Sequence, residues 1–365
     1  MRIIVERSAT IDLPLHDGHA PKWLVEMMKQ LAHEISYIII NEYGTEEFLL
    51  RISDPLWFQS LGCVLGYDWH SSGVTTVVTG VLKTVLNNED LGIIVAGGKG
   101  AISRKAPDEI LEYSKKINLD NPEKYVKISR IVAKVDNTLI QSGHTLYHHT
   151  IFIDEKGNWA VIQQGMNVEE LKARRYHWLS KNLKSFVNEP HNAIIGEPVK
   201  LKVLNMVARE SEECRKVCLD IVNENPVKLK RMIKESMRGP LDRWLFNEEI
   251  KHYEMPWDMD WKIFEKLYEL KPKKFEELVE FQGVGPKTIR ALALVSEIIF
   301  GTPASWRDPV KFSFAHGGKD GVPYPIDKKV YRQTIEIFKD AIIRSKLNHD
   351  SKMFALKRLS KIDIL

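Results

Sequence analysis

The chain is poor in what stabilises secreted and membrane-bound proteins. It has three cysteines, Cys63, Cys214 and Cys218, in 365 residues. So sparse and odd a set cannot build a disulfide framework. Cys214-x-x-x-Cys218 lacks the spacing of a zinc knuckle, and no second pair exists. No apolar run is long enough to cross a bilayer, and no leader-like N-terminus is legible. The expectation is a cytoplasmic protein with free thiols and no membrane partner. The GxxxxGK[ST] spacing of a nucleotide-binding P-loop is also absent, as are internal repeats and low-complexity linkers. Strong charge of one sign is missing too: the net charge is +4, so nucleic-acid binding is allowed only where the cations cluster.

What is present is globular. Hydrophobic residues make up 44% and charged residues 28%, and the length suffices for two domains with substantial cores. Abundant Lys, Glu and Ile fit a thermophile. Residues 1–197 alternate short apolar strands, helices and Gly- or His-rich loops. Residues 198–365 read as helices in succession. The turn-rich stretch from Asn188-Glu189-Pro190-His191 to Gly196-Glu197-Pro198 marks the boundary. The expected fold is an α/β (or α+β) N-terminal domain followed by an all-α C-terminal domain. Helices are expected over 23–34, 74–86 and 106–117, and a buried strand over 92–96. Strands over 145–153 and 159–164 should form a hairpin through Glu155-Lys156-Gly157-Asn158.

The strongest motif lies at 275–300. Phe275, Leu278 and Val279 recur at helical spacing, then comes Phe281-Gln282-Gly283-Val284-Gly285-Pro286-Lys287-Thr288, then an apolar stripe of Leu292, Val295 and Ile299. Glycines allow a sharp turn, and Pro286 suits the first helical position. Bare amides at a helix start beside a lysine form a phosphate site that ignores base sequence. This pattern resembles the helix-hairpin-helix families of DNA repair. Gly283, Gly285, Lys287, Thr288 and Arg290 are its expected DNA contacts.

The N-terminal half carries other candidates. Asp68 and His70 precede Ser71 and Ser72, either of which can cap the helix that starts near Val74. Gly97-Gly98-Lys99-Gly100, followed by Arg104, reads either as a phosphate-cradling loop or as a solvated turn. His144, His148 and His149 crowd into six residues after Asp136, and the facing strand brings Gln163 and Gln164. Imidazoles and carboxylates in this density suit proton transfer or a divalent metal. The segment resembles phospholipase D-type nucleases, but Thr150 or Ile151 stands where their lysine is needed. It also resembles PD-(D/E)xK nucleases, but Gln163-Gln164 replaces their Glu-x-Lys arm. Arg174-Arg175-Tyr176-His177-Trp178 interleaves cations with aromatics. That composition suits single-stranded or distorted DNA, or equally a helix with a buried tryptophan and exposed arginines.

Two wider resemblances follow. Pro325-Ile326-Asp327-Lys328-Lys329-Val330 lies beyond the hairpin, in an order similar to helix-hairpin-helix-GPD DNA glycosylases. That similarity implies Lys287 as Schiff-base nucleophile and Asp327 as catalytic carboxylate, though the gap between them is longer than in that family. Over most of its length the chain resembles an archaeal and bacterial family known only as a domain of unknown function. Asp12-Leu13-Pro14-Leu15-His16-Asp17-Gly18-His19-Ala20-Pro21, Asp68-Trp69-His70-Ser71-Ser72-Gly73, Val161-Ile162-Gln163-Gln164-Gly165-Met166-Asn167 and Arg174-Arg175-Tyr176-His177-Trp178 carry this resemblance.

The expected function is that of a DNA-repair endonuclease directed by structure or lesion rather than by base sequence. Asp68, His70, Asp136, His148, His149 and Gln163 are its expected catalytic residues. Asp68, His70, Asp136 and His149 are the expected ligands of Mg²⁺ or Mn²⁺. Lys99, Arg104, Arg174, Arg175 and His177 should line the groove for single-stranded, bubble or damaged DNA, and a homodimer is compatible with this reading. The alternatives are a glycosylase/lyase working through Lys287 and Asp327, and a DNA-binding repair factor without catalysis.

Overall fold

The computed structural model describes residues 21–66, 72–199, 202–236, 260–310 and 328–360. Asp68, His70 and Asp327 lie outside the described residues, as does the segment 12–20.

The chain starts with helices whose apolar residues recur every three to four positions. In α1 (Lys22–Tyr43) the buried stripe is Met28, Leu31, Ala32, Ile35 and Ile39. It is followed by α2 (Thr45–Ser53), α3 (Pro55–Val64) and α4 (Gly73–Asn88). Asp54 caps α3 by accepting the Trp57 amide at 2.9 Å, and Pro55 occupies the first helical position. Ser72 stands at the start of α4 but makes no side-chain cap hydrogen bond.

The strands are β1 (Ile93–Lys99), β2 (Ile140–Gln141), β3 (Thr145–Asp154), β4 (Trp159–Asn167), β5 (Lys172–Leu179), β6 (Ala193–Ile195) and β7 (Leu204–Asn205). Five of them form one antiparallel sheet in the order β1-β3-β4-β5-β6, and β2 pairs with β7. Between β1 and β2 lie α5 (Ala106–Tyr113), continued by a 3-10 turn over Ser114–Ile117, and α6 (Pro122–Thr138).

Helices cover both sheet faces. Val95, Phe152, Ile162 and Leu179 point into the layer of α1 to α4. Ile94, Ile151, Val161 and Trp178 point the other way, toward α5 and α6. Each large side chain so buried contributes roughly 1.5–3 kcal/mol relative to exposure.

The C-terminal half is mostly helical: α7 (Glu212–Asn223), α8 (Pro226–Ser236), α9 (Trp261–Leu270), α10 (Phe275–Glu280), α11 (Pro286–Phe300), α12 (Lys328–Arg344) and α13 (His349–Ser360). Cys214, Leu267, Leu278 and Leu292 join the same apolar cluster as α6 and the sheet. Helices α12 and α13 return to the other layer, where Phe338 stacks on Trp57 at 5.2 Å between ring centroids. Helices beyond residue 198 therefore build both cores together with the N-terminal half.

The expected helices, the 92–96 strand and the 145–164 hairpin are all present. Three local expectations are revised. Helix α1 runs on to Tyr43. Strand β1 extends to Lys99, so Gly97 and Gly98 pair with Thr150 and His149 rather than forming a loop after the strand. Residues 174–178 are strand, not helix. Gly97 has φ +93°, and a Cβ there would fall on the His149 carbonyl oxygen, so only glycine permits this strand contact.

Candidate nucleic-acid interface and buried polar layers

The hairpin joins α10 to α11. Phe275, Leu278 and Val279 anchor α10 in the core, and Ile289 and Leu292 anchor α11. Between them the Val284 amide donates to the Phe281 carbonyl at 3.2 Å. Gly283 has φ +100°, and Val284 is buried beneath the turn. Gln282, Gly283, Pro286 and Lys287 are exposed at the tip, while Gly285, Thr288 and Arg290 are half-buried. The first-turn amides of α11 have no intrahelical acceptor, and the helix dipole makes that end attractive to anions.

The tip is braced from the N-terminal half. Lys134 on α6 donates to the Phe281 carbonyl at 2.5 Å, and burial pushes its ammonium pKa down. Gln141 donates to the Pro286 carbonyl at 2.8 Å and accepts from Arg290 at 2.9 Å. The Arg290 guanidinium also lies over the Trp306 ring at 5.8 Å. Arg290 thus helps to hold the turn in place.

The sheet separates the other candidates into two buried polar layers. On the α6 side, Asp136 is fully buried and accepts from Gln163 Nε2, from Trp178 Nε1 at 2.9 Å and from His191 Nε2 at 2.5 Å. The carboxylate fixes the amide of Gln163, whose Oε1 faces His149 Nδ1 at 2.8 Å. His149 Nδ1 therefore donates, and Nε2 accepts from Ser129 Oγ at 2.7 Å. Burial lowers the His149 pKa and keeps the ring neutral. Arg174 lies on this face, donating to Asp308 at 2.6 Å and to the Glu197 carbonyl at 3.3 Å. Burial and the Arg174 cation push His144 down to about 4.

On the α4 side, His148 meets Thr79 Oγ1 at 3.0 Å and Thr150 Oγ1 at 2.9 Å, and burial pushes it down to about 3. Gln164 donates to the Ser72 carbonyl at 2.9 Å and to the Tyr147 hydroxyl, and it accepts from Thr75. Arg175 donates to Gln59 at 3.0 Å and to Thr75 at 3.4 Å, and stacks over Phe58 at 4.6 Å. No carboxylate among the described residues pairs with it. Burial pushes its pKa down to about 9, and the guanidinium stays charged at neutral pH. His177 packs edge-on against Phe58, and burial drives its pKa far down. The backbone of Ile52 and Ser53 lies beside its ring without meeting hydrogen-bond geometry.

Asp136, His149 and Gln163 therefore come together, while His148 sits across the sheet from them. Arg174, Arg175 and His177 are all 0% exposed, so none of them lines a surface groove. Lys99 and Arg104 are exposed at the end of β1 and in the turn after it. Among the described residues no group of three or more His, Cys, Asp or Glu is placed to hold a metal. Asp136 and His149 are poorly suited to the role: the carboxylate accepts from Gln163, Trp178 and His191, and the one acceptor nitrogen of His149 takes the Ser129 hydroxyl. Sequence reasoning missed Ser129, His191 and Asp308 as partners. They lie 20, 55 and 134 positions from the residues they meet, and no local pattern marks such separations.

No helix among the described residues is long and apolar enough to cross a membrane. No curated protein and no solved structure matches the chain. The model of the protein family of unknown function DUF763 matches residues 9–326, and the chain belongs to that family.

Proposed function

We propose that this family member binds DNA through the sugar-phosphate backbone, in the cytoplasm, as a repair factor that selects structure rather than sequence. The observation that carries the reading is the exposed, braced turn Gln282–Lys287 leading into the start of α11. Backbone amides and a lysine contact phosphates without distinguishing bases. The support from Lys134 and Gln141 pre-organises the turn, so less ordering is needed on binding.

Phosphodiester cleavage would be a further property of the same protein. An Mg²⁺- or Mn²⁺-dependent site would have to draw on Asp68 and His70, since Asp136 and His149 are committed to their own network. The lyase alternative is favoured by one observation, the exposure of Lys287 on the hairpin; its partner Asp327 lies outside the described residues.

A single assay separates these readings. Labelled single-stranded, bubble and abasic DNA are incubated with the protein, with the divalent ions or with EDTA. The expected result is binding to all three without sequence preference, weakened several-fold by Lys287→Ala. Absence of binding, or dependence on one base sequence, would sink the proposal. Cuts abolished by EDTA would add the nuclease. EDTA-resistant cuts at abasic sites, with a borohydride-trapped complex lost in Lys287→Ala, would add the lyase.

A further inference from the structure

Next to the hairpin an open cleft of ≈520 Å³ lies between α6, the start of β4 and the end of α10. Its size falls within the roughly 300–1,000 Å³ of small-ligand pockets. Lys124, Lys127, Ile128, Trp159, Phe186 and Glu280 line it. Phe186 is half-buried and lies parallel to Trp159, with ring centroids 6.3 Å apart and planes 3° apart. Trp178 supports Phe186 from a second side at 6.4 Å. The wall is thus a pair of parallel rings, Phe186 and Trp159, with Trp178 packed against Phe186.

The rim is charged. Lys127, Arg130 and Lys134 stand at i, i+3 and i+7 on α6 and share one side of it. Lys127 and Arg130 are exposed, and Lys134 donates to the carbonyl of Phe281 in the hairpin turn. Glu280, at the end of α10, lines the cleft one residue before that turn. A row of cations therefore leads from the cleft to the backbone grip.

We propose that this cleft seats an unpaired nucleobase of the strand whose backbone the hairpin holds, an inference that rests on the DNA-binding reading above. The base would stack on Phe186, its N–H edge would meet Glu280 or Glu123, and the flanking phosphates would meet Lys127 and Arg130. Each part of that description matches one chemical feature of a nucleotide: a flat heteroaromatic ring, an N–H donor on its edge and an attached anion. A paired base in a duplex has both its faces stacked and enters only if it is unpaired and flipped out, which costs a few kcal/mol. A free nucleotide offers the same chemistry and is the rival source.

The test compares four probes on the full chain: a short oligothymidylate, the same strand paired with oligodeoxyadenylate, a strand of abasic residues of equal length, and thymidine monophosphate as competitor. The expected result is that oligothymidylate binds about tenfold more tightly than the abasic strand, the order of one base–aromatic stack. Phe186→Leu removes that preference and leaves the duplex and abasic strand unchanged. Lys127→Ala weakens both single strands. A preference that survives Phe186→Leu would overturn the proposal. So would an equal loss on all three DNAs, which is the signature of a damaged fold or grip. Full competition by thymidine monophosphate at the affinity of the strand would also overturn it in favour of a free nucleotide. Lys287→Ala separates the two readings. If it changes no probe while Phe186→Leu still removes the preference, the cleft stands and the hairpin reading falls.

Discussion

Asp136 is fully buried and meets three donors. Asp136→Ala strands Trp178 Nε1 and His191 Nε2 and leaves Gln163 Nε2 with only the Val132 carbonyl at 3.3 Å. The expected cost is about 3–5 kcal/mol, read as a lower urea midpoint. The two adjacent arginines should differ. Arg174→Met abandons the half-buried carboxylate of Asp308, which keeps only the Val199 and Val310 amides, and should lower stability by about 1.5–3 kcal/mol. Arg175→Met removes a buried cation that has no carboxylate among the described residues, and stability should hold or rise. If both substitutions cost the same, the assignment of Arg175 as uncompensated is wrong.

His148 and His144 set a pH dependence whose sign is fixed. Their folded pKa values, about 3 and about 4, lie below the ordinary 6.5. Between those values the unfolded chain takes up protons that the folded chain refuses. Stability is therefore complete above about pH 6.5 and declines as the pH falls toward about 3. Urea midpoints measured from about pH 7 down to about pH 4 should fall, and His148→Gln should flatten the slope. A flat wild-type profile would contradict the burial of these rings.

At the scale of elements, the hairpin was legible because its signals are local. Two glycines, a proline at the helix start and apolar residues at helical spacing all fall within one short stretch. Gly283 has φ +100°, and a Cβ there would sit 3.1 Å from Ile263 Cδ1. Gly283→Ala should cost about 1–3 kcal/mol of local strain and weaken DNA binding measured by anisotropy. Unchanged binding would mean that the turn does not touch DNA. Strand β5 was not legible for the opposite reason. An antiparallel strand with one solvated face alternates apolar and polar residues, but this sheet is covered on both sides. Arg174, Arg175 and His177 are therefore buried polar residues in a strand that reads as a surface segment. Gly97 misled for a related reason: it marks close strand approach, not a loop.

At the scale of the whole molecule, sequence order hides the assembly of both polar layers. Asp136 and Gln163 are 27 positions apart, and Arg174 and Asp308 are 134. Periodicity locates elements, but it cannot say which faces meet. The histidine-rich stretch looked like one cluster because its residues are neighbours in sequence. On a strand, neighbours point to opposite faces, and His148 and His149 were bound to separate. The α6 helix then connects the α6-side layer to the surface: Ser129 and Asp136 face inward, while Lys127 lines the cleft, Lys134 reaches the hairpin and Arg130 is exposed between them. The buried network thus fixes the helix that carries the cationic rim.

The most direct test of the backbone grip is the salt dependence of binding to duplex DNA, measured for the wild type and for Lys287→Ala. The expected result is an affinity that falls linearly on a log–log plot against salt, with a slope about one unit shallower in Lys287→Ala and no change with base sequence. A wild-type affinity insensitive to salt, or identical slopes for the two proteins, would contradict it.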